Sequence, residues 1–375
     1  MVPESPFPTI LKKCCLTMSS EITPKYIEVA NLLRASIKSK RYTHKMPGER
    51  ALAETHNVSY MTVRKAVDLL VNEGLLIREA QKGTFILTSP KKNRQRLIGF
   101  FLDKNTQNGI SSSYYSLIFK ALVKEASQRG CEIVFFNDED PDSFSRTLKR
   151  LDGVIATCRE DIDNTIVSMA EELPLVTIDN NSANKTIPSV TLENFDALVS
   201  SVNLLAELGH SRIGFMRGLI DSDVGRDRHA GYLYGIQRNN LHADEELIFN
   251  GDFSFESGIS GIKYFLDKGT LPTALICAND EMALGAIKEL KKNNLDVPGD
   301  VSITGFDDID VAEQVTPALT TLKVPTEEIA RHALRLLNNL VSGKEITQKS
   351  ITLPCNLIIR ETCSTQAKTS LENTD

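Results

Sequence analysis

No uninterrupted apolar stretch of this sequence approaches the roughly 20 residues needed to cross a bilayer, so a membrane span is not expected. The N-terminus, MVPESPFPTILKKCCLTMSS, carries three prolines and no unbroken apolar core, which argues against a secretory signal. Seven cysteines (Cys14, Cys15, Cys131, Cys158, Cys277, Cys355, Cys363) are odd in number and contain no C-x-x-C pair. A disulfide framework is not indicated, and reduced thiols in a cytoplasmic protein are expected. The six histidines lack zinc-ligand spacing, and neither a Walker loop nor a G-x-G-x-x-G occurs. His229 has no Ser or Cys partner in its segment. Asp307 and Asp308, as chain neighbours, cannot straddle a scissile bond. No metal, cofactor or catalytic residue is assigned.

What is present is a chain of 375 residues, long enough for two or three domains with a sizeable core. Its net charge of −6 conceals an asymmetry. Residues 1–96 hold 17 Lys and Arg against 8 Asp and Glu, whereas residues 97–375 hold 26 against 41. A basic head on an acidic body fits a polyanion-binding module joined to one that is not.

The head centres on MPGERALAETHNVSYMTVRKAVDLLVNEGLLIREAQKGTFI, residues 46–86. A first helix is expected from Ile22 to Arg41, with Tyr26, Val29, Ala30, Leu32, Leu33 and Ile37 on its apolar side. Pro47-Gly48 then turns into a short helix from Arg50 to His56. Asn57-Val58-Ser59 breaks that helix, and Ser59 suits the N-cap of another beginning near Tyr60. Val63, Ala66, Val67, Leu70 and Val71 form its apolar face, with Tyr60, Thr62, Arg64 and Lys65 off the stripe. After Gly74, Leu75–Glu79 and Thr84–Leu87 read as strands around a Gln81-Lys82-Gly83 turn. Helix, turn, helix and β-hairpin make a winged helix-turn-helix. Its recognition helix offers unsatisfied N–H groups to phosphate and side chains to base edges. Taken singly, each Arg or Lys here reads first as a solvated surface charge; the whole helix–turn–helix–wing pattern is what points to DNA.

Residues 87–96, LTSPKKNRQR, shift to a polar, basic linker composition. From Leu97 strands alternate with helices. Strands are expected at Leu97–Asp103, Glu132–Asn137, Gly153–Thr157 and Leu175–Asp179, with helices at Tyr114–Arg129, Asp142–Arg150 and Asp161–Glu172. A second run follows: helix Phe195–Leu208, strand Arg212–Met216, helix Arg226–Asn239, strand Leu247–Asn250 and helix Ser254–Lys268. Strand Ala274–Ala278, helix Glu281–Lys292 and strand Ser302–Phe306 complete it. Continuous apolar strands between helices imply parallel sheets covered on both faces. Two such runs suggest two lobes with a ligand cleft at the strand ends.

The head resembles the GntR family of bacterial transcription regulators, whose pattern runs roughly LPSERELAE…GVSRTTVREAL..L...GLL....G.GTFV. The resemblance implies that Arg50, Ser59, Tyr60, Thr62 and Arg64 face DNA, with Lys82 and Gly83 in the wing tip. Tyr60 departs from it, since the family usually carries Arg there. Residues 97–363 are similar to the LacI/GalR effector domain, itself akin to periplasmic sugar-binding proteins. LAELGHSRIGFMRG (205–218) matches the crossing into the second lobe. RHAGY (228–232), GDFSFESG (251–258), PTALICANDEMALGAI (272–287), VPGDVSITGFDDID (297–310), TPALTTLKVP (316–325) and LPCNLIIRETC (353–363) match in the same order. The family's hinge helix is missing, and Ser112-Ser113-Tyr114-Tyr115 stands where NPFF is usual. A GntR-type head on a LacI-type body is the arrangement of AraR-type repressors of arabinose utilisation.

A cleft that encloses a neutral polyol needs bidentate hydrogen-bonding groups for vicinal hydroxyls and a ring to cover an apolar sugar face. The resemblance places Arg228, Asn279 and Asp307 at ligand positions. It puts Asp179 at a first-lobe strand end, Phe253 as an aromatic wall and Tyr115 at the first-lobe helix. The blander alternatives are a turn and cap for Asp307-Asp308 and an N-cap for Asn279-Asp280. Arg226 competes with Arg228. The inventory suits a monosaccharide better than a nucleotide diphosphate, which would want more positive charge.

The expected fold class is therefore α/β: a small winged helix-turn-helix domain plus a two-lobed periplasmic-binding-protein-like domain with parallel sheets. The expected boundaries are an N-terminal disordered extension at 1–20, the head at 21–88, a linker at 89–96, the effector-binding and dimerisation domain at 97–363 and a tail at 364–375. Met18 is a plausible alternative start, which bears on whether residues 1–17 are translated. The implied function is a cytoplasmic homodimeric repressor of sugar-utilisation genes. It would bind double-stranded operator DNA and be released by a small sugar effector such as L-arabinose, with no membrane partner. A regulator that answers a nucleoside or purine is the alternative, and a solute-binding protein or a sugar-modifying enzyme are the competing classes.

Overall fold

The computed structural model describes residues 25–39, 41–79, 82–86, 95–104, 106, 108–157, 163–180, 182 and 184–366. The expected N-terminal extension and most of the expected linker and tail lie outside the described residues, as do Cys14, Cys15, Cys158 and Gln81. The chain divides into two compact units, Met1–Arg94 and Gln95–Asp375.

In the head, α1 (Lys25–Lys38), α2 (Glu49–His56) and α3 (Tyr60–Asn72) precede the hairpin β1 (Leu76–Glu79) and β2 (Gly83–Ile86). Val29, Ala30, Leu33, Leu52, Val63, Ala66, Val67, Leu70, Leu76 and Ile86 form its core. The turn between α2 and α3 is made by Asn57 in the left-handed region at φ 49°, a conformation that Asn adopts more readily than most residues. Ser59 caps α3 by accepting from Thr62 N at 3.1 Å. Arg78 on β1 pairs with Glu49 of α2 and Asp68 of α3, so one guanidinium fastens the wing to both helices.

The body begins with β3 (Arg96–Phe101), so the last residue of the expected linker belongs to its first strand. Then come α4 (Ser113–Gln128), β4 (Cys131–Phe136), α5 (Pro141–Leu148), β5 (Gly153–Thr157), α6 (Asp163–Glu172), β6 (Leu175–Asp179) and β7 (Ser189–Leu192). At Glu193 the chain leaves this lobe. It builds a second one from α7 (Asn194–Glu207), β8 (Ile213–Arg217), α8 (Asp223–Arg238), β9 (Ile248–Asn250), α9 (Phe255–Lys268), β10 (Ala274–Cys277), α10 (Asp280–Lys292), β11 (Ser302–Asp307) and β12 (Thr320–Lys323). After Lys323 it returns: α11 (Thr326–Val341) packs on α4 and β6, and β13 (Ser350–Leu353) pairs with β7. It then crosses once more to β14 (Asn356–Ile358), antiparallel to β12.

The sheet orders are β13-β7-β6-β5-β3-β4 and β14-β12-β11-β10-β8-β9, parallel throughout except at β14. Two features correct the sequence reading. The first crossing falls at the end of β7, because α7 packs on α8 of the second lobe, and not at residues 205–218. Each lobe also borrows an element from the far end of the chain.

Close helix packing depends on small residues. A Cβ on Gly285 of α10 would lie 2.0 Å from the Phe255 carbonyl oxygen of α9. Gly285→Val is therefore expected to destabilise the body by about 1–3 kcal/mol or more through overpacking. A urea midpoint equal to wild type would show that the two helices separate freely.

Candidate effector cleft and nucleic-acid interface

The parallel sheets place the C-terminal ends of β6, β9, β10 and β11 around one cavity of about 140 Å³. At one probe sphere of roughly 10–15 Å³ per water, that is room for on the order of ten waters. Tyr115, Asp179, Arg228, Phe253, Asn279 and Asp307 all line it. Asp179 and Asp307 are the last residues of β6 and β11, and Asn279 and Phe253 lie just beyond β10 and β9. Asp179, Phe253 and Asp307 hold positive φ (69°, 72° and 122°). Such backbone strain clusters where side chains are held for a ligand.

Arg228, on α8, is only 5% exposed. Its Nε donates to Asn194 Oδ1 at 2.9 Å and its Nη1 to the Ala278 carbonyl at 2.5 Å. Its guanidinium carbon lies 3.5 Å from the Phe306 ring centroid. It is fixed on three sides and draws down the pKa of both Asp179 and Asp307. Arg226, its competitor by sequence, instead pairs with Asp223 and does not line the cavity.

The carboxylates outnumber the cation. Among the described residues Asp179, Asp252, Glu281 and Asp307 line the cavity beside one cation, Arg228. Burial raises Asp179 to about 6, against the opposing pull of the Tyr114 hydroxyl and Arg228. Burial likewise raises Asp307 well above the usual carboxylate range; Arg228 opposes this, and Asp280, Asp179 and Glu281 add to it. No hydrogen-bond donor among the described residues reaches the Asp307 carboxylate, which is 6% exposed.

Asn279 is partly spent on structure. Its Oδ1 caps α10 by accepting from Met282 N at 3.0 Å, and its Nδ2 donates to the Phe253 carbonyl at 2.9 Å. It thereby holds the loop that carries the Phe253 ring. That ring lies over Gly218, where any Cβ would meet it at 2.0 Å.

Sequence reasoning chose Tyr115 and passed over Tyr114, Asn180 and Glu281. The Tyr114 hydroxyl donates to Asp179, and its ring meets Tyr115 edge-on at 5.1 Å. Ser113 Oγ donates to Glu281 Oε1 at 2.6 Å, and Val224 N donates to Asn180 Oδ1 at 3.3 Å, so both bonds cross from lobe to lobe beside the cavity. The YY pair at a helix start was the one available signal for Tyr114. Nothing in the sequence pointed to the interlobe pairs.

In the head, Arg50, Tyr60 and Arg64 are exposed. Ser59 and Thr62 hydroxyls lie 2.8 Å apart and serve the cap. In the wing turn Gly83 has φ 111°, and Lys82 pairs with Glu79 at 3.2 Å.

Two family models match this chain: "Bacterial regulatory proteins, gntR family" over residues 25–86 and "Periplasmic binding protein-like domain" over residues 202–363. The HTH-type transcriptional repressor CytR of Escherichia coli (strain K12) is 32% identical over 258 residues, covering 67% of this chain and 76% of that protein. A crystal structure of a sugar-binding transcriptional regulator of the LacI family from Escherichia coli, complexed with phosphate, is 26% identical. It covers 72% of this chain and 98% of its own, at a TM-score of 0.60. The lac repressor dimer bound to operator and an anti-inducer is 25% identical, covering 73% and 96%, at a TM-score of 0.63.

The chain belongs to the bacterial transcriptional regulators with a LacI/GalR-type, periplasmic-binding-like effector domain, carrying a GntR-type winged helix-turn-helix. This is a non-enzymatic family. Among the described residues no helix is long and apolar enough to cross a membrane.

Proposed function

We propose that this protein is a homodimeric repressor of metabolic genes that holds a two-half-site operator and releases it when a small, hydroxyl-rich, non-anionic effector enters the interlobe cleft. The observation that carries this reading is the buried Arg228 set between Asp179 and Asp307, with Tyr114, Tyr115 and Phe253 around the same cavity. Carboxylates and a guanidinium accept from and donate to vicinal hydroxyls, while the rings cover apolar faces. Among the described residues, four carboxylates against one cation disfavour phosphates and acids. The relatives named as repressors, and the lac repressor dimer on its operator, support the sign of control and the assembly.

Two effector classes fit. Three rings offer more aromatic surface than one sugar face needs, which favours a nucleoside. A free sugar such as L-arabinose draws its support from the AraR-type domain arrangement and from the sugar-binding regulator of like fold. In either case the effector must prefer the state with low operator affinity, because equal affinity for both states shifts nothing.

A thermal-shift screen of the full-length protein against pentoses, hexoses, nucleosides and their phosphates tests this, since a bound ligand raises the midpoint by mass action. One uncharged compound is expected to raise the midpoint and to weaken operator binding, while its phosphate does neither. A screen led by phosphates, or a protein that prefers no promoter fragment over random duplex, would refute the reading.

A further inference from the structure

The start of α3 does not look like a polar DNA reader. Ser59 and Thr62 bond one another and the helix end, which spends one of their two hydroxyl protons on the cap. What stands clear instead are two large side chains, Tyr60 at 41% and Met61 at 56% exposure. One turn further along, Arg64 and Lys65 are exposed, and on α2 so is Arg50. None of these three cations has a carboxylate partner among the described residues. Tyr60 with Arg64, and Met61 with Lys65, are four residues apart and share helix faces.

An aromatic ring and a thioether at one helix end, on adjoining faces bounded by unpaired cations, suit a partner that is anionic at its edges and apolar within. Duplex DNA has that character, because its phosphates flank a major groove in which the thymine 5-methyl is the apolar mark. The first residues of a recognition helix are those that reach base edges. Resting on the operator-binding reading above, we propose that Tyr60 and Met61 read thymine methyl groups. Each half-site then carries thymine where it meets the start of α3, and Arg64, Lys65 and Arg50 hold guanine edges or phosphates around it. The ring of Tyr60, not its hydroxyl, makes the contact. A guanidinium at that position would select guanine instead.

The test uses the full-length protein and sites selected from randomised duplex. Each selected thymine is then replaced by deoxyuridine, which removes only the methyl. At one or more thymines per half-site, binding is expected to weaken about fourfold per methyl lost. Tyr60→Phe retains that sensitivity. The double variant Tyr60→Ala with Met61→Ala loses it while still binding random duplex in a salt-dependent manner. The proposal is overturned if every thymine tolerates deoxyuridine, or if the double variant keeps the wild-type sensitivity. Should no sequence be enriched over random duplex, the operator-binding reading itself fails, and this one with it.

Discussion

Arg228→Gln is expected to lower effector affinity on the order of a hundredfold or more, while operator binding without effector stays at the wild-type level. Among the described residues Arg228 is the cation that lines the cavity, and it lowers the cost of burying Asp179 and Asp307 as charges. Removing one partner of a buried charged group costs several kcal/mol, because the remaining charge has lost its compensation. Here two carboxylates lose it at once. The head has its own core, so its fold does not draw on this arginine. Calorimetry for the effector and a gel-shift titration for the operator separate the two effects. Unchanged effector affinity in the variant would remove Arg228 from the site. A parallel loss of operator affinity would mean that the arginine serves folding and not recognition.

The second large effect is on pH. Unfolded aspartates titrate near 4, whereas burial holds Asp179 at about 6 and Asp280 at about 7, with Asp307 raised as well. Across that window these aspartates bind more protons in the native protein than in the unfolded chain, so the stability they contribute falls as pH rises through it. His210, His229 and His332, lowered by burial, act in the opposite sense with smaller shifts. Between pH 5 and pH 8 Asp179 alone accounts for about 1 kcal/mol of that loss, and Asp280 and Asp307 act in the same direction. The effector-free protein should therefore melt at a higher temperature at pH 5.5 than at pH 8. Asp280→Asn should flatten the difference, because Asp280 is fully buried behind the site, accepting from Thr321 Oγ1 at 2.5 Å and Ile309 N at 3.0 Å. Melting temperatures of wild type and Asp280→Asn that share the same pH dependence over this range would show that the cluster is hydrated and titrates normally.

Most elements were legible in the sequence, because long apolar strands and amphipathic helices repeat with distinct periods. Gly153–Thr157 and Leu175–Asp179 fall on the expected residues. The misses have physical causes. β7 is four residues, Ser189–Leu192, all buried, which is too short to show a period. Ile329, Ala330, Ala333, Leu334, Leu336 and Leu337 of α11 have plain helical spacing, yet that spacing says nothing of which lobe the helix joins. At the site, Arg228 and Arg226 differ by two positions, hence by more than half a turn of helix. Only the packed structure shows which faces the cavity. Asn279 drew both readings, ligand and cap, and the side chain does cap its helix while bordering the cavity.

The three interlobe connections at Glu193, Val324–Pro325 and Pro354–Cys355 have a mechanical meaning. Three short tethers set side by side behave like a leaf spring: they yield to bending about one line and resist torsion and sliding. A ligand at the jaws can therefore drive little except that single angle, which makes a small molecule's arrival a clean input for whatever is fastened to the frame.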